Sequence, residues 1–189
     1  RQRQMCIRDR REIQDKLIVP KNRLIELTKG SLTLGGLTVE PFSVSHDAAD
    51  PIGINVFAGN DKATVVTDTG VISDDILRRL DDTTLLVLEA NYDPHMLRFG
   101  PYQPFLKQRV ASDEGHLSNE MAAQALLMMK RPDFMQVILA HRSENNNNAV
   151  LVTQTIGKML VDGGVRIGPE MKLQHGQPNE IVSIQSVKR

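Results

Sequence analysis

Tryptophan is absent from the 189 residues, aromatics amount to only 4 %, and there is a single cysteine, Cys6. Each scarcity excludes something. One cysteine cannot form an intrachain disulfide, so a reducing cytoplasm is the expected setting. With so few aromatics, the core must be built from Val, Ile, Leu and Met. Net charge is also missing: 23 basic residues balance 23 acidic ones. That argues against bulk electrostatic binding of nucleic acid, whose affinity scales with the phosphates neutralised, while leaving room for a local basic patch. No apolar run approaches the roughly 20 residues needed to cross a bilayer, and the arginine-rich start lacks the apolar centre of a secretory signal.

What is present is the composition of an ordinary globular domain, 40 % hydrophobic and 24 % charged, long enough for one real core. Residues 1–11, RQRQMCIRDRR, hold five arginines and little apolar periodicity. They read as a non-native or disordered start, against the alternative of a basic arm on phosphate. Residues 12–189 form one unit, with no linker composition dividing them.

Along that unit, RLIELT (23–28) is a short strand candidate. LTLGGLTVEPFSVS (32–45) contains a Gly-Gly hairpin signal, and INVFAG and KATVVTD flank a second turn at Asn60-Asp61. Ser73 caps a helix with acids in its first turn and arginines in its last. TLLVLEA (84–90) and MQVILAH (135–141) are continuous apolar strands of the doubly buried kind. Residues 91–115 form a long loop with a short helix at PFLKQRV. Ser118 caps the helix SNEMAAQALLMMK, and AVLVTQTIGKMLVDGG is a helix stopped at Gly163-Gly164. VRIGPEMKL and EIVSI suggest two further strands. Hairpins followed by strand–helix alternation imply an α/β layered fold (α+β in some schemes) with a mixed sheet.

Three predicted strands end in metal-competent side chains: Val-Ser-His46-Asp47, Val-Val-Thr-Asp68-Thr-Gly and Val-Ile-Leu-Ala-His141. A strand delivers its terminal side chain rigidly to one sheet edge, where sites assemble in open sheets. Imidazole and carboxylate are ligands of borderline divalent metals, and a carboxylate has two oxygens with which to bridge a pair. Glu89, at the end of another apolar strand, is either a group that orients a ligand histidine or a loop-facing acid.

Five strings occur in order: Ser-His46-Asp-Ala-Ala-Asp-Pro-Ile-Gly, Thr-Asp68-Thr-Gly, Leu-Glu-Ala-Asn-Tyr-Asp (88–93), Gly-His116-Leu-Ser-Asn and Ala-His141-Arg-Ser-Glu-Asn-Asn-Asn. Together they resemble the later motifs of the metallo-β-lactamase fold in its YycJ-type (WalJ) branch, which is similar to ribonuclease Z and related phosphodiesterases. The resemblance runs from about residue 20 to the C-terminus. It implies an αββα sandwich and a metal-dependent phosphodiesterase or nuclease, 5′–3′ exonuclease-like, using hydroxide activated by two divalent ions, Zn²⁺ or Mn²⁺. It further implies His46 and His141 as ligands of the first and second metal, and Asp68 as the catalytic bridge. His116 becomes a phosphate contact or general acid. Ser118 and Asn119, which follow it, become substrate contacts. By their place in the loop before Gly115-His116, Arg98, Lys107 and Arg109 read as backbone grips near the site, against the alternative of plain surface solvation.

The family's His-x-His-x-Asp-His signature is nowhere in this chain. The expectation is therefore an N-terminally incomplete copy, impaired in metal binding and turnover. The alternatives are a small-molecule ester, thioester or lactam hydrolase of the same fold, or a non-catalytic remnant. A nucleic-acid substrate is the expected partner, with no membrane; oligomeric state is open.

Overall fold

The computed structural model describes residues 30–177 and 180–184; the strand candidate at 23–28 and the arginine-rich start lie outside them. The Gly-Gly hairpin forms as expected. Strand β1 (Leu32–Leu34) turns into β2 (Leu37–Ser43) through Gly35 and Gly36, whose φ values of 54° and 85° suit the two-residue turns that match strand twist. Strands β3 (Ile52–Ala58) and β4 (Asp61–Val66) form the second hairpin. Helix α1 (Asp74–Leu80) follows, with the Ser73 hydroxyl accepting from the Ile76 amide. Then come β5 (Leu85–Glu89), two short helices α2 (Pro94–Phe99) and α3 (Pro104–Val110), and α4 (Asn119–Met128) behind its Ser118 cap. Strand β6 (Met135–Ala140), helix α5 (Ala149–Asp162) and strand β7 (Met171–His175) complete the order.

Two expectations change. The loop at 91–115 holds a second helix, α2, started by an Asp93 side chain that accepts from the Met96 amide and by Pro94 in the first turn. EIVSI (180–184) joins no strand, since β7 is the last member of the sheet.

Among the described residues, the seven strands lie in one sheet in sequence order. β1 to β4 pair antiparallel, and β4 to β7 pair parallel through helical crossovers. One face carries Val66, Leu86, Leu88, Val137, Leu139 and Met171. These pack with Ile76 and Leu80 of α1, Ala122 and Leu126 of α4, and Val152, Ile156 and Leu160 of α5 in a single core. No aromatic ring takes part except Phe42, as the composition requires. At roughly 25 cal/mol per Å² of apolar surface removed from water, this is the main force holding the layer together. The opposite face is apolar too, but Ile54, Val56, Leu85 and Val87 are only half-buried and Val65 is exposed.

The topology fixes the site's place. β2 runs in the same direction as β4, β5 and β6, because β3 opposes both β2 and β4. With β7 parallel to β6, five strands thus send their carboxyl ends to one edge, and four of them (β2, β4, β5 and β6) lead to the site.

Candidate metal centre

The loops leaving β2, β4 and β6 and the last residue of β5 carry His46, Asp68, His141 and Glu89 to that edge, and the loop before α4 adds His116. The rings of His46 and His116 lie 5.1 Å apart, as do those of His116 and His141. Asp68 Oδ1 faces His46 Nε2 at 3.8 Å and His141 Nε2 at 3.7 Å. Its Oδ2 accepts from the Thr67 hydroxyl at 3.1 Å. Donor atoms of His46, Asp68 and His116 all fall within 4.8 Å of one another.

Each imidazole presents Nε2 inward because Nδ1 is occupied elsewhere. His46 Nδ1 sits 3.0 and 3.1 Å from the carbonyls of Glu114 and Gly115, so it must be the donor there. His116 and His141 donate through Nδ1 to the same oxygen, Glu89 Oε1, at 2.7 and 2.6 Å. Glu89 Oε2 accepts from the Thr69 amide at 3.1 Å. Glu89 has no exposed surface. Its burial pushes its pKa up, but the bonds and charges of the two histidines outweigh that and hold it below the ordinary 4.5. Burial pulls the His141 pKa down, and the Glu89 bond, with the charges of Glu89 and Asp68, raises it above the ordinary 6.5. Glu89, His116 and His141 also bring donors within 4.8 Å. That carboxylate oxygen is already shared by two N–H donors beneath the rings, which makes Glu89 the group that fixes their tautomer rather than a ligand.

The donor set suits a divalent metal. Three imidazole lone pairs and a half-buried carboxylate converge, and the outward nitrogens are satisfied in advance. Two of these residues are also held in an unusual backbone state. Asp68 and His141, each just beyond a strand, have φ values of 57° and 52°, in the left-handed region where Asp and His are among the more tolerated residues. Such conformations cost on the order of 1–3 kcal/mol each and gather at functional sites. Here they turn the side chain off the strand direction into the cluster.

The surrounding loops are clasped to one another. The Ser45 amide bonds Thr69 Oγ1 at 3.2 Å, and the Gly70 amide bonds the Ser45 carbonyl at 2.8 Å. The Asp47 amide bonds the Glu114 carbonyl at 3.1 Å.

Of the other residues singled out in the sequence, Arg109 forms a bidentate pair with Asp47, beside His46: Nε bonds Oδ2 and Nη2 bonds Oδ1 at 3.0 Å. That pairing holds Asp47 below its ordinary pKa. Lys107 bonds the Arg98 carbonyl at 2.8 Å, and the Arg98 guanidinium lies 5.3 Å from the Phe99 ring centroid. Ser118 is occupied with capping α4, accepting from the Met121 amide. Asn119 is fully buried and exchanges two amide hydrogen bonds with Asn147, whose Nδ2 also reaches the Ala90 carbonyl. Asn91 Nδ2 holds the His141 carbonyl at 2.8 Å. Ser118, Asn119, Asn91 and Asn147 therefore brace the loops that carry His116 and His141. Asn91 and Asn147 lie inside the quoted motifs, but no local pattern there marks them as braces.

An α/β layer with histidines and an aspartate gathered at the carboxyl ends of its strands is the architecture of a metallo-hydrolase-type fold. The chain belongs to the beta-lactamase superfamily domain family, whose model matches residues 4–141. Among curated proteins it is 35 % identical over 155 residues to the exodeoxyribonuclease YycJ of Bacillus anthracis, covering 82 % of this chain and 59 % of that protein. It is 33 % identical over 147 residues to the exodeoxyribonuclease WalJ of Streptococcus pneumoniae, covering 78 % and 55 %. The chain thus spans a little over half the length of these relatives. Among solved structures it resembles the metallo-beta-lactamase fold protein YhfI of Bacillus subtilis, with a TM-score of 0.54 at 13 % identity over 78 % of this chain and 50 % of that one. It also resembles Zn²⁺-bound PqqB of Methylobacterium extorquens, at 0.51 and 17 % over 78 % and 48 %. At those identities the likeness is one of fold.

Proposed function

We propose that this chain carries metal-centre residues of a phosphodiesterase that degrades DNA from an end, in the 5′–3′ sense. The observation that carries the reading is the convergence of three oriented imidazoles on Asp68. The identity to proteins named exodeoxyribonucleases supports the choice of nucleic acid over other esters. A reducing cytoplasm suits the single cysteine.

His46, Asp68 and His141 would hold the metal, as many as two divalent ions, zinc or manganese. Bound there, divalent ions activate water and neutralise charge on phosphate oxygens. The chain's own residues do the rest. Glu89 and the Glu114 and Gly115 carbonyls set the rings before substrate arrives, so no reorganisation is required at the reacting centre. His116, with its Nδ1–H held by Glu89, carries a proton at Nε2 to the leaving oxygen. Arg98 and Lys107 attract the backbone. Arg109 keeps Asp47 and the His46 loop in place, and Ser118 and Asn119 serve the substrate by fixing the turn that presents His116.

The test is digestion of 5′-labelled single-stranded DNA with added Mn²⁺ or Zn²⁺, by this chain and by a full-length relative. Asp68→Ala and His141→Ala, at these and the matched positions, are expected to reduce turnover by at least about 100-fold. Retained turnover in both variants would sink the metal assignment. Activity on small esters or lactams but not on DNA would overturn the nuclease reading in favour of the small-molecule one.

A further inference from the structure

The segment between β5 and β6 departs from the rest of the chain in two ways. Residues 94–110, PHMLRFGPYQPFLKQRV, contain three basic residues and no acidic one, within a chain of zero net charge. They also hold two of the five phenylalanines, and both face water: Phe99 is 66 % exposed and Phe105 72 %. Elsewhere Phe42 is only 5 % exposed. A chain so poor in aromatics that spends two rings on solvent within seven residues asks for an explanation, since each ring forgoes a burial worth a few kcal/mol.

The segment has its own small core and does not need those rings. Leu97 and Val110 are buried with Tyr92, and Tyr102 and Leu106 pack against them. On α3, Leu106 and Val110 face inward, while Phe105 and Arg109, also one turn apart, are both exposed. On α2, Phe99 stacks tilted against His95 at 4.6 Å, with Arg98 5.3 Å from its centroid.

The platform is fixed to the metal centre at both ends. Arg109 grips Asp47 next to His46, and the His116 amide bonds the Val110 carbonyl at 2.9 Å. At the other end the Asp93 amide bonds the Asn146 carbonyl at 2.8 Å, in the loop that follows His141. Phe105 therefore stands one helical turn, about 6 Å along α3, from the residue that anchors the His46 loop.

We propose that the α2–α3 segment is a base-stacking platform for the single-stranded end of the nucleic acid entering the metal centre. Phe105 and Phe99 take bases on their faces, and Arg98 and Lys107 meet the backbone. Rings beside cations on a rigid surface are what sequence-tolerant single-strand binding uses, because every base has a π-face and every linkage a charge. The inference rests on the nuclease reading of the adjoining site but makes its own demand: binding must depend on bases.

The test is fluorescence-anisotropy binding of a labelled, 5′-phosphorylated oligothymidylate to the whole chain in EDTA, where no turnover occurs. Phe105→Ala and Phe99→Ala are each expected to weaken binding about tenfold, with Phe105→Tyr close to the parent. An abasic strand of the same length should bind the parent chain at least about tenfold more weakly and ignore both alanine changes. Because the chain has no tryptophan, Phe105→Trp supplies a single indole whose fluorescence should be quenched by the thymidylate and not by the abasic strand. Binding equal to the parent in both alanine variants, equal affinity for the abasic strand, or no binding by the parent chain each overturns the platform. Asp68→Asn, assayed for turnover alone, tests the nuclease reading separately. Its retained activity would remove that reading without altering the binding data.

Discussion

Glu89 does the work of three partners with one side chain. Both histidine Nδ1–H groups and the Thr69 amide end on its two oxygens, and none of it reaches solvent. The pH dependence follows from the two shifts that the contact produces. Glu89 is held below 4.5, so its contribution is full above that value and is lost as pH falls through its folded pKa. His141 is raised above 6.5, so its contribution is full below that value and is lost as pH rises through its folded pKa. The pair therefore stabilises the metal-free chain most between about pH 4.5 and 6.5. Glu89→Gln should lower the melting temperature most in that window. The cost is about 2 kcal/mol rather than the larger figures for fully buried pairs, because His141 is partly exposed. Thermal melts in chelator across pH 4 to 9 (roughly the span over which these groups titrate) check this. A difference that did not depend on pH would mean that Glu89 acts by packing alone.

At the scale of elements, the site is a set of strand-end loops pressed together without room for side chains. Gly70 shows how tightly. A Cβ there would meet the Ser112 carbonyl oxygen at 2.3 Å and the Asp113 backbone at 2.4 Å, and backbone cannot swing away as a side-chain tip can. Gly70→Ala is expected to cost about 1–3 kcal/mol and to displace the 112–116 turn that carries His116. The checks are a lower denaturant midpoint and a turnover loss larger than the stability loss explains; an unchanged midpoint would mean the loops are not in contact. Much of this architecture was legible in the sequence. The Gly-Gly hairpin, the Ser73 and Ser118 caps and the apolar runs of β5 and β6 announce themselves through local chemistry. His46, Asp68 and His141 stand where those runs stop. Helix α2 was legible as well, since Asp93-Pro94 is a cap followed by a first-turn proline, yet the polar, proline-rich surroundings favoured a loop reading. The Asp47–Arg109 and Asn119–Asn147 pairs join residues 62 and 28 positions apart. No local pattern encodes such partners. The left-handed turns at Asp68 and His141 are equally silent, because Asp-Thr-Gly and His-Arg-Ser also suit plain turns.

At the scale of the molecule, the described residues cluster few ligands to share between two ions. Its five histidines are His46, His95, His116, His141 and His175, and no His-x-His-x-Asp-His string accompanies them. His95 stacks on Phe99, and His175 Nε2 meets the Thr153 hydroxyl, so three imidazoles remain for the cluster. Catalytic zinc takes three protein ligands per ion. With His116 kept for proton transfer, His46, Asp68 and His141 supply three such ligands, enough for one ion and too few for a second. The chain should therefore take up one equivalent of zinc and hold a second far more weakly. Because His141 keeps its proton to a higher pH than a free imidazole, zinc uptake should weaken as pH falls from about 8 to 6, with proton release on binding. Ligand linkage gives a readout that needs no turnover. Zinc at about 100 times its dissociation constant should add roughly 2.7 kcal/mol to stability. His46→Ala should remove most of that gain, whereas His175→Ala should leave it intact. Two equivalents that survive gel filtration in a weak chelator would contradict this count of ligands, and would require donors from residues other than the clustered ones.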